Sequence, residues 1–305
     1  MKSLRTPRRL QSESCQTMQG EHIISIMALK RFFNRQIALP QDHGSWVFIL
    51  SPLLIGLCAG RQFNFASLSL VVAAMSVFLL RQPMTAIIKA YAGRRPRSDL
   101  PAARLWVLVY GVIALLALAE LFYLKQGYIA YLAVPGAPVF AWHLRLVGKR
   151  AERRQAGVEV IATGVLALVA PAAYWVGRGG YDPQGWWLWA LTWAQSAASI
   201  VYAYLRLAQR ETLPRAEQAK DLARREKWRL GRRAFLYTTF NLGATLLLGW
   251  FHFLPQWLFL PYLLQWAEAL WGIEHPAAGW KPTRVGVRQL VVSILWTILF
   301  ILLWK

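Results

Sequence analysis

Nine apolar runs recur along the chain, at approximately 44–60, 63–80, 104–124, 127–147, 156–177, 186–205, 234–253, 255–273 and 287–304. A helix rises about 1.5 Å per residue, so roughly 20 apolar residues cross the 30 Å hydrocarbon layer of a bilayer. Each run is therefore predicted to be one transmembrane helix. Pro255, Pro261, Glu268 and Glu274 interrupt the eighth run and predict a tilted or partly re-entrant segment there. The predicted fold is an all-α, polytopic transmembrane bundle of about nine helices over residues 37–305. A basic tail, 1–36, precedes it, and the longest basic loops are 81–104 and 206–233. The apolar patch at 23–29 is too short to span, and no small-residue cleavage site follows it. Met27 opens a fresh amphipathic stretch, so residues 1–26 are expected to be an optional extension.

Charge fixes the orientation of this bundle. Of 35 Lys and Arg, 31 fall in the tail and in every second loop, and four fall on the other face. Cytoplasmic loops collect positive charge, which predicts a multi-pass protein of the bacterial cytoplasmic (inner) membrane, N-terminus inside and C-terminus outside. The net charge of +21 would suggest nucleic acid in a soluble protein. Here it lies between apolar runs, with no nucleic-acid-binding motif, so no nucleic-acid partner is expected and membrane lipids are. A hydrophobic content of 56% and a mean hydropathy of +0.33 agree with that reading. Tryptophans near the ends of the runs, such as Trp186, Trp187, Trp189, Trp250 and Trp257, form an aromatic belt. Cys15 and Cys58 predict no structural disulfide. Within 206–233, mixed charges on good helix formers predict a short surface helix.

Polar groups are costly in hydrocarbon, so the candidate chemistry lies where they recur inside the runs. Gln195, Ser199, Tyr202 and Arg206 share one face of the sixth span at i, i+4, i+7 and i+11, leading toward Arg210. Thr238, Asn241 and Thr245 line one face of the seventh, and Gln289, Ser293 and Thr297 one face of the ninth. Together they predict a polar cavity open to the cytoplasm; the competing role for such residues is hydrogen bonding between helices. Arg81, Lys89, Arg94 and Arg95 form a phosphate-attracting cluster after the second span, and anionic headgroups alone would also draw them to the surface. His43, beside Asp42 and Gly44, and Glu268, deep in the eighth span, are the candidate proton carriers, with Arg284 or Arg288 as the expected partner of Glu268. No catalytic residue is fixed by these patterns. No Walker loop, zinc motif or nucleophile elbow appears, and no metal or cofactor is expected.

The strings His43-Gly-Ser-Trp with Pro52, Arg81-Gln-Pro with Lys89, Arg229-Leu-Gly-Arg-Arg-Ala-Phe-Leu-Tyr-Thr-Thr-Phe-Asn241 and Lys281-Pro-Thr-Arg-Val-Gly-Val-Arg-Gln-Leu resemble the YwiC-like family of bacterial membrane proteins over residues 38–305. More distantly, the chain is similar to the UbiA superfamily of intramembrane prenyltransferases. That superfamily has nine helices, a cytoplasmic N-terminus and active-site loops after helices two and six. Gly44 with Pro52, and Arg95-Pro-Arg-Ser-Asp-Leu-Pro, carry this second likeness. Where the superfamily holds Mg²⁺ on NDxxDxxxD, this chain has Arg81-Gln-Pro-Met-Thr-Ala-Ile-Ile-Lys89. Its second Asp-rich motif corresponds to Tyr202-Ala-Tyr-Leu-Arg-Leu-Ala-Gln-Arg210, also without Asp. The resemblance thus implies a UbiA-like bundle without Mg²⁺-dependent prenyl transfer.

These patterns lead first to a protein that binds an amphipathic lipid or isoprenoid-type ligand in a cytoplasm-facing polar cavity, its head near Arg81, Lys89 and Arg206. Basic side chains would hold the head by charge-assisted bonds. Two further classes fit the same residues: a proton-coupled secondary transporter using Glu268 or His43, and a non-catalytic assembly subunit with a membrane-protein partner.

Overall fold

The computed structural model describes residues 35–40, 43–149, 155–212 and 224–304, without the side chains of Arg35 and His43. Every regular element among them is helical: α1 (Arg35–Ala38), α2 (His43–Gly60), α3 (Phe65–Tyr91), α4 (Leu100–Tyr123), α5 (Ala133–Gly148), α6 (Ala156–Ala167), α7 (Val169–Arg178), α8 (Gln184–Thr212), α9 (Arg224–Trp250), α10 (Phe259–Glu274) and α11 (Pro282–Leu303). Short 3₁₀ turns precede α4, α5 and α10. The chain divides into two compact units, Met1–Gln41 with Leu79–Val112, and Asp42–Phe78 with Ile113–Lys305.

Each apolar run lies within a helix or a broken helix, but helix ends and run ends differ. α3 continues past residue 80 to Tyr91, and α8 continues to Thr212. Basic residues and glutamine are good helix formers, so a helix need not stop where hydrocarbon does. The connection foreseen over 81–104 is accordingly 92–99, and 206–233 is largely helix at both ends. The short surface helix expected there falls partly on 213–223, outside the described residues. The fifth run breaks at Leu168 between α6 and α7. Pro171 has no N–H for the Ala167 carbonyl four residues back, which accounts for the break.

Four helical stretches among the described residues are long and apolar enough to cross a membrane, Phe65–Tyr91, Arg97–Tyr123, Ala156–Arg178 and Pro282–Leu303, with Gly44–Gly60 shorter. α8, α9 and α10 fall short of that apolarity because they carry polar residues, and those residues point inward. α9 buries Gly231, Ala234, Thr238, Asn241, Thr245 and Gly249, while Leu236, Phe240, Leu247 and Trp250 are exposed. A water-soluble helix has the opposite arrangement. Small and polar residues at the contacts, with large apolar ones outside, are the pattern of helices packed in lipid. The molecule is a helical membrane protein.

Within the larger unit, α8 packs against α2, α6, α7, α9, α10 and α11. α2 lies on α7 through Gly56 and Gly60, one turn apart. A Cβ at Gly56 would run into the Ala170 carbonyl, and one at Gly60 would sit 3.0 Å from the Gly177 Cα. Four helices of this unit end in a left-handed residue that reverses the chain at once, Arg61 (φ 63°), Lys125 (φ 61°), Gly179 (φ 78°) and His252 (φ 59°). Bonds such as Gln126 N–H to Leu121 C=O (2.8 Å) and Phe253 N–H to Leu248 C=O (2.9 Å) close these ends. All four turns fall in the connections that carry few Lys and Arg.

A side chain in the left-handed region costs about 1–2 kcal/mol, which glycine avoids. His252→Gly should therefore raise stability by up to about 1 kcal/mol, read from unfolding in mixed detergent micelles. Gly56→Ala should lower it in the same assay, by on the order of 1–3 kcal/mol, because backbone faces the new methyl.

Candidate anion-binding cleft

The middle of α8 is a column of side chains bonded to neighbouring helices. Gln195 Nε2 donates to Ser199 Oγ (3.1 Å), and Gln265 Nε2 of α10 donates to the Gln195 carbonyl and to Ser199 Oγ (both 3.0 Å). Asn241 Nδ2 of α9 donates to the Ala194 carbonyl (2.8 Å), and Gln289 Nε2 of α11 to that of Ser199 (3.3 Å). Gln195, Ser199 and Asn241 therefore tie four helices together at one level.

Lower on the same face the groups become charged. Arg206, 1% exposed, sits where α10 ends. The last carbonyls of a helix have no partner within it. Arg206 Nη1 donates to two of them, Gly272 (2.7 Å) and His275 (2.8 Å), and also to Gln209 Oε1 (3.0 Å). Gln209 adds a bond to Gly272 (3.0 Å) and accepts one from Ala277 N–H (3.1 Å). Together they form a side-chain cap supplied by α8 to another helix, and a cation is favoured there by the helix dipole as well. Gly272 lets Tyr202 pass, since a Cβ would collide with its hydroxyl.

One turn inward, Glu268 is held from two sides. Arg288 Nε and Nη2 donate to its two oxygens at 2.6 and 2.7 Å, and the Tyr202 hydroxyl donates at 2.8 Å. The partner expected as Arg284 or Arg288 is thus Arg288, in the two-pronged geometry that suits guanidinium and carboxylate. The Arg288 guanidinium lies 3.5 Å from the ring centre of Trp271.

Beside this pair the chain between α10 and α11 walls an open cleft of about 670 Å³, lined by Trp280, Lys281, Thr283, Arg284, Val287 and Arg288 with Gly279. Trp280 is fixed from behind: Arg210 Nε donates to its carbonyl (2.6 Å), and Arg206 lies 4.8 Å from its ring centre. Arg284 rests on the same ring at 4.2 Å. Lys281, Arg284 and Arg288 follow at i, i+3 and i+7, so they share the side of α11 that faces the cleft. Lys281 is the N-cap of α11 and gives no capping side-chain bond, leaving the positive end of that helix at the cleft. No carboxylate lines it. Three cations, an indole wall and a helix N-terminus give this cleft the chemistry to hold an anion.

Arg81, Lys89, Arg94 and Arg95 belong to the smaller unit, where Gln82 Nε2 donates to the Gln36 carbonyl (3.0 Å) and Tyr110 Oη to that of Ala38 (3.1 Å). Arg95 is engaged by Asp99 at 2.8 Å, and Arg81, Lys89 and Arg94 have partners too. The His43 side chain lies outside the described residues. Among the described residues no cluster of His, Cys, Asp and Glu could hold a metal ion.

Of the lining residues, Trp280 and Lys281 were not among the candidates read from the sequence, and Arg284 only as an alternative partner of Glu268, because a short charged connection looks like any loop. The signal was present: Pro282 at the first turn of a helix, with cations at 281, 284 and 288 on one face. Residues 39–174, less than half of the chain, match the family model described as YwiC-like protein, the family that the quoted strings resemble. The cleft lies outside that stretch. No curated protein and no solved structure matches the chain.

Arg206→Ala would strip the His275 carbonyl of its donor and leave that of Gly272 with Gln209 alone. A loss on the order of 2–4 kcal/mol is expected, with Arg206→Lys restoring part of it, measured by thermal unfolding in detergent. Unchanged stability in Arg206→Ala would show that the cap does not hold α10.

Proposed function

Taking the chain as a membrane protein of YwiC-like type over residues 39–174, we propose that it binds an amphipathic lipid or isoprenoid-type molecule by an anionic head group, from the cytoplasmic side of a bacterial inner membrane. One observation carries this reading: the cationic cleft opens onto lipid-type surface. Val287 lines the cleft, and Leu290, Val291, Ile294 and Ile298 continue from it at i+3, i+4, i+7 and i+11, all of them exposed. A head among Lys281, Arg284 and Arg288 leaves its tail along that strip of α11. Burying a tail yields about 0.8 kcal/mol per methylene, and the charges fix the head. The arginines foreseen as head-group ligands on α8 act from behind, by holding Trp280. The proposal includes the multi-pass orientation with the cleft inside, since the Lys281–Arg288 connection belongs to the positive face.

The ion pair of Glu268 favours a second reading, proton-coupled transport, because a carboxylate this deep is expensive unless paired or protonated. The two readings separate under mutation. Mass spectrometry of the protein gently extracted from its own membrane should detect a retained anionic amphiphile, lost in the double variant Lys281→Ala/Arg284→Ala and kept in Glu268→Gln. Proton flux across reconstituted vesicles that Glu268→Gln abolishes supports transport, and stoichiometric retention of another membrane protein supports an assembly role. For orientation, single cysteines in a Cys15→Ser/Cys58→Ser background should react differently with an impermeant maleimide. Asn64→Cys should label on intact cells, and Thr283→Cys only after the membrane is opened.

A further inference from the structure

The charges around the cleft specify the head group more narrowly. Lys281, Arg284 and Arg288 contribute three positive charges, and among the described residues neither Lys281 nor Arg284 forms an ion pair. Glu268, 11% exposed, neutralises one of the three through its bidentate hold on Arg288. Behind Trp280, Arg206 Nη1 is bonded to the end of α10 and Arg210 Nε to the Trp280 carbonyl, and among the described residues no carboxylate pairs with either, while Arg224 and Trp228 of α9 engage Glu274. The charged lining together with Glu268 therefore carries a net charge of two, and Arg206 and Arg210 add positive charge from behind the indole wall. The cleft's geometry suits oxygens on several sides. Arg288 gives Nε and Nη2 to Glu268, which leaves Nη1 for a ligand; Arg284 lies against Trp280; and the uncapped first turn of α11 adds backbone dipoles.

We propose that this cleft is a site for a phosphate monoester bearing two negative charges on a single apolar tail, a lipid or isoprenyl monophosphate in chemical class. This rests on the binding reading above and adds the charge state and the head group to it. Glu268 is a positioning residue: it holds the Arg288 guanidinium against Trp271 and lowers the charge of the site to match a dianion. A carboxylate or phosphodiester head, with one charge, leaves one cation unmatched beside hydrocarbon, which is unfavourable. Free inorganic phosphate shares the head-group chemistry but gains nothing from the Val287 strip.

The test uses the purified full chain in uncharged maltoside micelles at pH 8 and calorimetric titration with three probes: dodecyl phosphate, its monomethyl ester, and inorganic phosphate. The ester keeps tail and phosphorus and removes one charge. Dodecyl phosphate should bind on the order of tenfold more tightly than the ester. The difference should fade as pH falls toward 5, because the dianion of a phosphate monoester takes up a proton near pH 6 and becomes a monoanion. Arg284→Ala should weaken dodecyl phosphate several-fold more than the ester and so shrink the preference, and Arg284→Lys should restore it. A folding defect would weaken both probes together. Equal binding of dodecyl phosphate and its ester at pH 8 would overturn the dianion assignment alone. Inorganic phosphate binding as tightly as dodecyl phosphate, or neither amphiphile binding at all, would overturn the amphiphile reading on which it rests.

Discussion

A polar group in hydrocarbon has no water to turn to, and that constraint organises the larger unit of this protein. Its helices answer by bonding to one another across α8. Gln265, Asn241 and Gln289 reach carbonyls of α8 from three different helices. Ser51 of α2 and Thr297 of α11 bond each other at 2.6 Å. Each such bond is individually modest, about 1 kcal/mol or less, but together they leave few alternative ways to stack the helices. Small residues at Gly56, Gly60, Gly231 and Gly272 complete the same solution by letting neighbours come close.

Arg206 is the sharpest case. Its buried charge would be prohibitive alone, but the end of α10 offers carbonyls that would otherwise be orphaned. The helix end offsets part of that cost through Nη1, while Nη2 stays buried without a hydrogen-bond partner among the described residues. Because Gln209 and Arg210 lie on the same stretch of α8, one helix secures both the end of α10 and the Trp280 connection that follows it. The cleft is thus placed by a rigid element and does not depend on a loop holding its own shape.

The helical class, the number of apolar runs and the inward turn of the polar residues on α8 and α9 were legible in the sequence, since all follow from periodicity. Arg288 as partner of Glu268 was legible too, because a deep carboxylate demands a cation and two were in reach. Other features were not. Helix ends overran the apolar runs because helix propensity and hydropathy are different properties, as the stretch Arg81–Tyr91 within α3 shows. That Arg206 Nη1 also caps α10 was not legible, since nothing local says that another helix will end beside it. Trp280 and Arg284 gained meaning only when the turn after α10 brought them beside Arg288.

The bond between Glu268 and Arg288 also bears on how the protein is made. During insertion each helix is tested by the membrane for its own apolarity, and a lone acidic or basic residue near a helix centre costs roughly 2.5–3.5 kcal/mol. Glu268 on α10 and Arg288 on α11 are only one short connection apart, and paired they present a nearly neutral surface. α10 and α11 are thereby suited to enter the bilayer as a hairpin, the second helix arriving as the counter-ion of the first.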